Sequence, residues 1–213
     1  MQQELFKPWG GKREGAGRPK QKGAGASHAR REAVRAYWPV HVTLRVGRDV
    51  PYLRKRKIWR AIGKAAIAAA KSGAIRIVHA SVQHDHLHIL VEANDQRALS
   101  TGMHAFEVSA AHWINVAAQR KGRVFPQRYH ARVIKTPREA RNAIKYVLSN
   151  WRKHGEDRNH RFAIDPFSTG YTFWPETPPR DYESLPTAPP ESWLLRTGWR
   201  RAGEISPHER PGG

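Results

Sequence analysis

The sequence predicts an α+β fold, an antiparallel sheet packed against helices, and three observations predict it. Four short segments alternate apolar and polar residues in the manner of half-buried strands: 40–46 (VHVTLRV), 74–83 (AIRIVHASVQ), 86–93 (HLHILVEA) and 128–134 (RYHARVI). Longer segments with helical periodicity separate them. Turn and cap residues fall at the junctions, among them Asp49-Val50-Pro51, Gly73, Asn94-Asp95, Gly122 and Thr136-Pro137. Read in order, the elements give βαββαβ, a ferredoxin-like split βαβ sandwich, followed by an added helix and an irregular tail.

Residues 1–36 are rich in Gly, Lys and Arg and too poor in large apolar residues to fold alone, so they read as a flexible basic arm. Within the arm, Gly15–Lys20 (GAGRPK) has the Gly-Arg-Pro core of a minor-groove-binding hook centred on Arg18; a plain solvated basic tail reads equally well. Residues 51–72 suit an amphipathic helix with Leu53, Ile58, Ile62, Ala65, Ala66 and Ala69 on its apolar face, closed by Gly73. That helix carries seven basic residues and no acidic one. The second and third strands make a hairpin turning near His84-Asp85, or one long bent strand. A second helix runs from the N-cap Asp95 to about Arg120, and Gly122 stops it.

The third helix, 136–155, has the best-marked start: Thr136 as N-cap, Pro137 in the first turn and Glu139 completing a capping box. Residues 37–155 thus form the folded domain. Residues 156–213 hold nine of the fifteen prolines with scattered Trp and Tyr, and read as an extended or partly disordered tail.

Charge narrows the partners. The formal net charge is +20, and residues 1–155 carry 31 Lys/Arg against 9 Asp/Glu, whereas 156–213 carry 7 against 9. A polyanion is the natural partner, nucleic acid ahead of an anionic membrane surface. With no cysteine, disulfides and thiolate metal sites are excluded, and any metal must take nitrogen or oxygen ligands. No apolar run approaches membrane-spanning length and the start lacks a signal-peptide core, so the chain reads as soluble and intracellular.

Two stretches carry chemistry. In an extended strand, His84, His86 and His88 share one face while Leu87, Ile89 and Val91 take the other, and two imidazoles two residues apart reach one divalent ion. A polar sheet face that merely uses histidine is the competing account. On the third helix Ala140, Ala143, Ile144, Val147, Leu148 and Trp151 make the apolar stripe, with Tyr146 and Asn150, four apart, on its flank. A boundary tyrosine with a wetted hydroxyl would look the same.

Taken together, QHDHLHILVEA (83–93) and RVFPQRYHARVIKTPREARNAIKYVLSNWRKHG (123–155), in this order, resemble the single-tyrosine HUH transposases, the insertion-sequence and REP-associated tyrosine transposases, over residues 37–155. The resemblance implies a transposase that cleaves and rejoins single-stranded or hairpin DNA through a 5′-phosphotyrosine. It implies Tyr146 as nucleophile, His86, His88 and Asn150 as ligands of Mg²⁺ or Mn²⁺, and a bacterial cytoplasmic, nucleoid-associated protein. DNA contacts are expected from Arg18 in the arm and from Arg54, Lys55, Arg56, Lys57, Arg60 and Lys64 on the first helix, for which a solvated face reads equally well, while His84 stays open between a DNA contact and no role. A repeat-derived hairpin is the expected target, and monomer and homodimer both stay open. The alternative is a non-catalytic, domesticated DNA-hairpin-binding protein on the same fold. A water-using metallohydrolase ranks last, because the histidine spacing matches no common zinc signature.

Overall fold

The computed structural model describes residues 32–158 and 162–211. Four strands, β1 (Val40–Arg45), β2 (Ile75–Val82), β3 (His86–Ala93) and β4 (His130–Val133), form one sheet in the order β2-β3-β1-β4, every neighbouring pair antiparallel. The strand alternation seen in the sequence divides the side chains between two cores. Val40, Val42 and Leu44 of β1 and Leu87, Ile89 and Val91 of β3 face helices α1 (Arg56–Lys71) and α2 (Gln96–Ala118). Val78 and Leu90 face the opposite way, towards α3 (Pro137–Lys153). The sheet is therefore covered on both faces, and α3 lies across the face that the histidines share.

Local chemistry explains most boundaries. Asp95 caps α2, its carboxylate accepting from the Ala98 amide at 2.8 Å. Both halves of the capping box at α3 are made: Thr136 Oγ1 accepts from the Glu139 amide, and Glu139 Oε2 accepts from the Thr136 amide, each at 3.2 Å. The second and third strands are a hairpin, closed by the Gln83 amide donating to the His86 carbonyl at 2.8 Å. α2 can approach β2 closely because position 102 is glycine; a Cβ there would stand 2.5 Å from the Ile75 side chain.

Two boundaries differ from expectation. α1 starts at Arg56 rather than at Pro51: Val50 N–H bonds back to Gly47 and Leu53 N–H to the His84 carbonyl, which ties 51–55 to the hairpin loop instead of to a helix. α2 ends before Gly122, because Gln119 itself takes the left-handed conformation, φ +52°.

Residues 162–211 follow a largely extended path with two short helices, α4 (Gly170–Phe173) and α5 (Trp193–Arg196), and a 3-10 helix at Gly198–Ala202. The path is fastened at several points. The Val82 amide bonds to the Phe167 carbonyl, Thr169 N–H to Ala80, and Ala188 N–H to Ile77, so the segment runs beside β2. Glu92, buried on β3, accepts from the Glu191 and Ser192 amides at 2.9 and 2.8 Å and pairs with Arg76. Leu194, Leu195, Trp199 and Ile205 complete the core beneath α3.

His79 is enclosed by this segment, its ring 5.5 Å from that of Phe173 and its Nδ1 3.4 Å from Thr169 Oγ1. Burial pushes its pKa down to about 4, with Glu92 opposing in part. The unfolded chain takes up this proton near pH 6.5 and the folded chain only near 4, so stability is full above 6.5 and falls as the pH drops between those values. The loss assignable to His79 is about 3 kcal/mol. Urea unfolding at pH 7 and pH 4 should show a larger total loss in the native protein, because His41 and His88 are also held neutral by burial, and a loss smaller by the His79 contribution in His79→Gln; equal losses in the two proteins would remove His79 as a cause.

Candidate active site

β3 lies between β2 and β1, so side chains on its α3 face are walled by both neighbours and roofed by the helix. His86 and His88 sit there, both buried. On α3, the Tyr146 ring centroid is 5.0 Å from that of His88, and two turns later the His154 ring is 5.3 Å from that of His86. The helix thus runs along the histidine strand. Asn150, midway between Tyr146 and His154 on the same helical face, is wholly buried.

Hydrogen bonding leaves this set with unused capacity. His86 Nδ1 donates to Asp85 Oδ1 at 2.7 Å, which fixes the tautomer and leaves Nε2 as the basic nitrogen. His88 Nδ1 lies 3.1 Å from His41 Nε2 and 3.2 Å from Thr43 Oγ1. Its Nε2, and both Nδ2 and Oδ1 of Asn150, are buried without a hydrogen-bond partner among the described residues. Leaving three such atoms unpartnered costs a protein about 1–3 kcal/mol each, so the arrangement calls for something that engages them.

Electrostatics set the protonation states. Burial, helped by the neighbouring His41 and His86, pushes the His88 imidazole down to about 2, and burial lowers His86 while Asp85 partly restores it. Both rings are neutral and able to donate lone pairs at pH 7. Burial raises the Tyr146 phenol above its ordinary value, so it keeps its proton until something takes it. The His41 ring, half-buried and lowered to about 4 by desolvation and by nearby His130 and Arg132, stands 5.7 Å from the Tyr146 ring.

The structure brings Tyr146, His86, His88 and Asn150 together. Of the six basic residues expected on the first helix it withdraws Arg54 from the surface and leaves Lys55, Arg56, Lys57, Arg60 and Lys64 exposed. Arg54 is turned inward: its guanidinium makes a paired contact with Asp165 at 2.9 and 3.0 Å, donates to the Val82 carbonyl at 2.9 Å and lies 4.9 Å from the Phe167 ring. The expected DNA contact at Arg54 is thereby corrected. Arg56 pairs with Asp181, Arg60 with Glu183 at 2.5 Å, and Lys64 Nζ sits 3.4 Å above the Trp113 ring. Lys55 and Lys57 are exposed and form no ion pair among the described residues. His84 is exposed with its ring edge against Tyr52. Arg18 and the Gly15–Lys20 stretch lie outside the described residues.

His41, Thr43 and Asp85 join the site without having been singled out in the sequence. Alternation along VHVTLR does put His41 and Thr43 on one face, but only the pairing of Thr43 opposite His88 shows which face that is. No three His, Cys, Asp or Glu side chains among the described residues gather as a metal cluster; the set is two imidazoles and an amide.

The site is thus a four-stranded antiparallel sheet of a mixed α/β fold that carries two buried histidines beneath a helix-borne tyrosine. Comparison with family profiles then gives the particular family. The profile described as "Transposase IS200 like" matches residues 37–150, more than half of the chain, and the chain belongs to that family. Among solved structures, a REP-associated tyrosine transposase bound to a REP hairpin shares the fold, with a TM-score of 0.56 and 18% identity over 69% of this chain and 84% of the other. A Deinococcus radiodurans R1 protein assigned as a transposase aligns at a TM-score of 0.40 and 13% identity, over 62% of this chain and 96% of the other. Comparison with curated protein sequences gives no match. Among the described residues no helix is long and apolar enough to cross a membrane.

Proposed function

We propose that this transposase cleaves and rejoins single-stranded or hairpin DNA through a covalent Tyr146 intermediate. One observation carries the reading: Tyr146 stands beside His88, one helical turn from Asn150, in a site whose inward-facing polar atoms lack partners. The phenol oxygen of Tyr146 attacks phosphorus, the bond from phosphorus to the 3′ oxygen breaks, and that oxygen leaves as a 3′-hydroxyl. The product is a 5′-phosphotyrosine, and attack on it by another 3′-hydroxyl restores the tyrosine and joins the strands. No nucleotide cofactor is consumed, because the tyrosyl ester keeps the bond energy.

Two of the partnerless atoms, His88 Nε2 and Asn150 Oδ1, carry lone pairs that fit a divalent cation. His86 and His88 through Nε2 and Asn150 through Oδ1 would hold Mg²⁺ or Mn²⁺, which when bound supplies charge stabilisation at the scissile phosphate. Being neutral, these ligands leave the ion's charge uncancelled. Asp85 and Thr43 orient the imidazoles. The neighbour that binds a REP hairpin supports a repeat-derived hairpin as the substrate here. The +20 charge supports the same class of partner, with Lys55, Lys57 and the N-terminal arm as contacts.

The test is incubation of the full chain with labelled hairpin oligonucleotides and Mn²⁺, followed by a denaturing gel and peptide mass spectrometry. A DNA adduct mapped to Tyr146 and lost with chelator is expected. Hairpin binding with no adduct across a broad panel would shift the function to non-catalytic recognition. The metal site has its own test. Mn²⁺ binds the folded state alone and should raise the melting temperature. Asn150→Leu should abolish that rise while leaving the metal-free protein as stable or slightly more so, since two buried unpartnered atoms are removed. An undiminished Mn²⁺ response in Asn150→Leu would exclude Asn150 as a ligand.

A further inference from the structure

Beside Tyr146, on the side away from Asn150, lies a pocket of about 250 Å³. Its walls are the Tyr146 and His41 side chains, Arg132 from β4, and Glu139 and Asn142 from the first turns of α3, over an apolar floor that includes Ile134. From the geometry we infer that this pocket receives one unpaired nucleobase, that of the nucleotide adjacent to the scissile phosphate, and reads its identity through Asn142. The inference rests on the proposed function.

The argument starts from order along one helix. Asn150 is one turn C-terminal to Tyr146 and Asn142 one turn N-terminal, each step about 5.4 Å. A phosphate held at the Asn150 side of the tyrosine places its own nucleotide within reach of the Asn142 side. Size restricts the occupant. Drug-sized ligands occupy pockets of about 300–1,000 Å³, and this one is slightly smaller, suited to a single flat heterocycle.

The lining selects a base over a phosphate. Glu139 presents a carboxylate, pinned by the Lys135 and Thr136 amides at 2.8 and 3.2 Å, and it neutralises Arg132, whose Nη2 lies 3.4 Å from Glu139 Oε1. A wall with a fixed carboxylate repels phosphate. A base edge, in contrast, offers both donors and acceptors, and the pocket answers with an acceptor at Glu139, donors at Arg132 and an amide with both at Asn142. The aromatic sides, Tyr146 and His41, suit stacking. Asn142 is exposed and caps nothing, so it is free to act as the reader.

The test uses the full chain, Mn²⁺ and hairpin oligonucleotides in which all four bases are placed in turn at each position flanking the mapped cut. Adduct formation by the native protein should favour one base at one flanking position on the order of tenfold. In Asn142→Ala that preference should fall to within about twofold, with preferences at the other positions retained. Asn142→Asp, which exchanges a donor for an acceptor, should change which base is favoured. An adduct formed with the same base profile in all three proteins overturns the subsite and leaves the tyrosine chemistry standing. Absence of any adduct with the native protein overturns both.

Discussion

Replacement of Tyr146 by phenylalanine is expected to lower covalent attachment to DNA by a factor on the order of 10³ or more, the scale on which loss of a nucleophile acts. The substitution removes one atom and keeps the ring contacts with His88 and His41. The Tyr146 hydroxyl makes no hydrogen bond among the described residues, and burial alone shifts its phenol pKa, so its removal forfeits no bond. Hairpin affinity should therefore stay within about twofold, and the urea midpoint should move by no more than about 0.5 kcal/mol equivalent, as for changes away from packed or bonded features. Measuring adduct yield, affinity and unfolding on one preparation separates chemistry from folding. Cleavage that survives Tyr146→Phe would falsify the covalent mechanism.

The largest stability effect is expected from Asp165→Ala, at about 3–5 kcal/mol in chemical denaturation. Asp165 and the Arg54 side chain are both buried, joined by two contacts at 2.9 and 3.0 Å. Removing the carboxylate leaves a guanidinium inside the protein with the Val82 carbonyl, the Tyr52 hydroxyl and the more distant Glu156, at 3.7 Å, as weaker oxygen partners. It also removes the acceptor for the Phe167 amide, and with it a fastening of the segment that follows β2. Replacing both members together, Arg54→Met with Asp165→Leu, should recover much of the loss, because no charge is then stranded. A double variant no more stable than Asp165→Ala would show that packing rather than charge pairing dominates at this point.

These two residues mark the division between what is legible in the sequence and what is not. The shared face of His86 and His88 and the shared flank of Tyr146 and Asn150 are legible from two-residue alternation in a strand and four-residue spacing on a helix, whereas the roles expected of them come from the family resemblance and not from the period. The strands, α2 and the start of α3 follow from the same short-range rules, down to the capping box at Thr136 and Glu139. Arg54 is not legible. In sequence it is one of seven cations on a helix face, and only the return of Asp165, 111 residues later, turns it inward.

The sequence by itself determined the strand and helix order, the side of β3 on which the histidines lie, and the excess of positive charge. The tertiary structure decided what those features meet. Pairing β1 against β3 placed His41 and Thr43 on the far nitrogen of His88, and packing α3 across the sheet enclosed Asn150 and set Tyr146 beside a pocket. The segment after 162 coupled acids to the cations of α1. The physical reason is one of range. Backbone periodicity and capping act over a few residues and can be read in place, whereas ion pairs, desolvation and pockets depend on groups that only folding brings within a few ångströms.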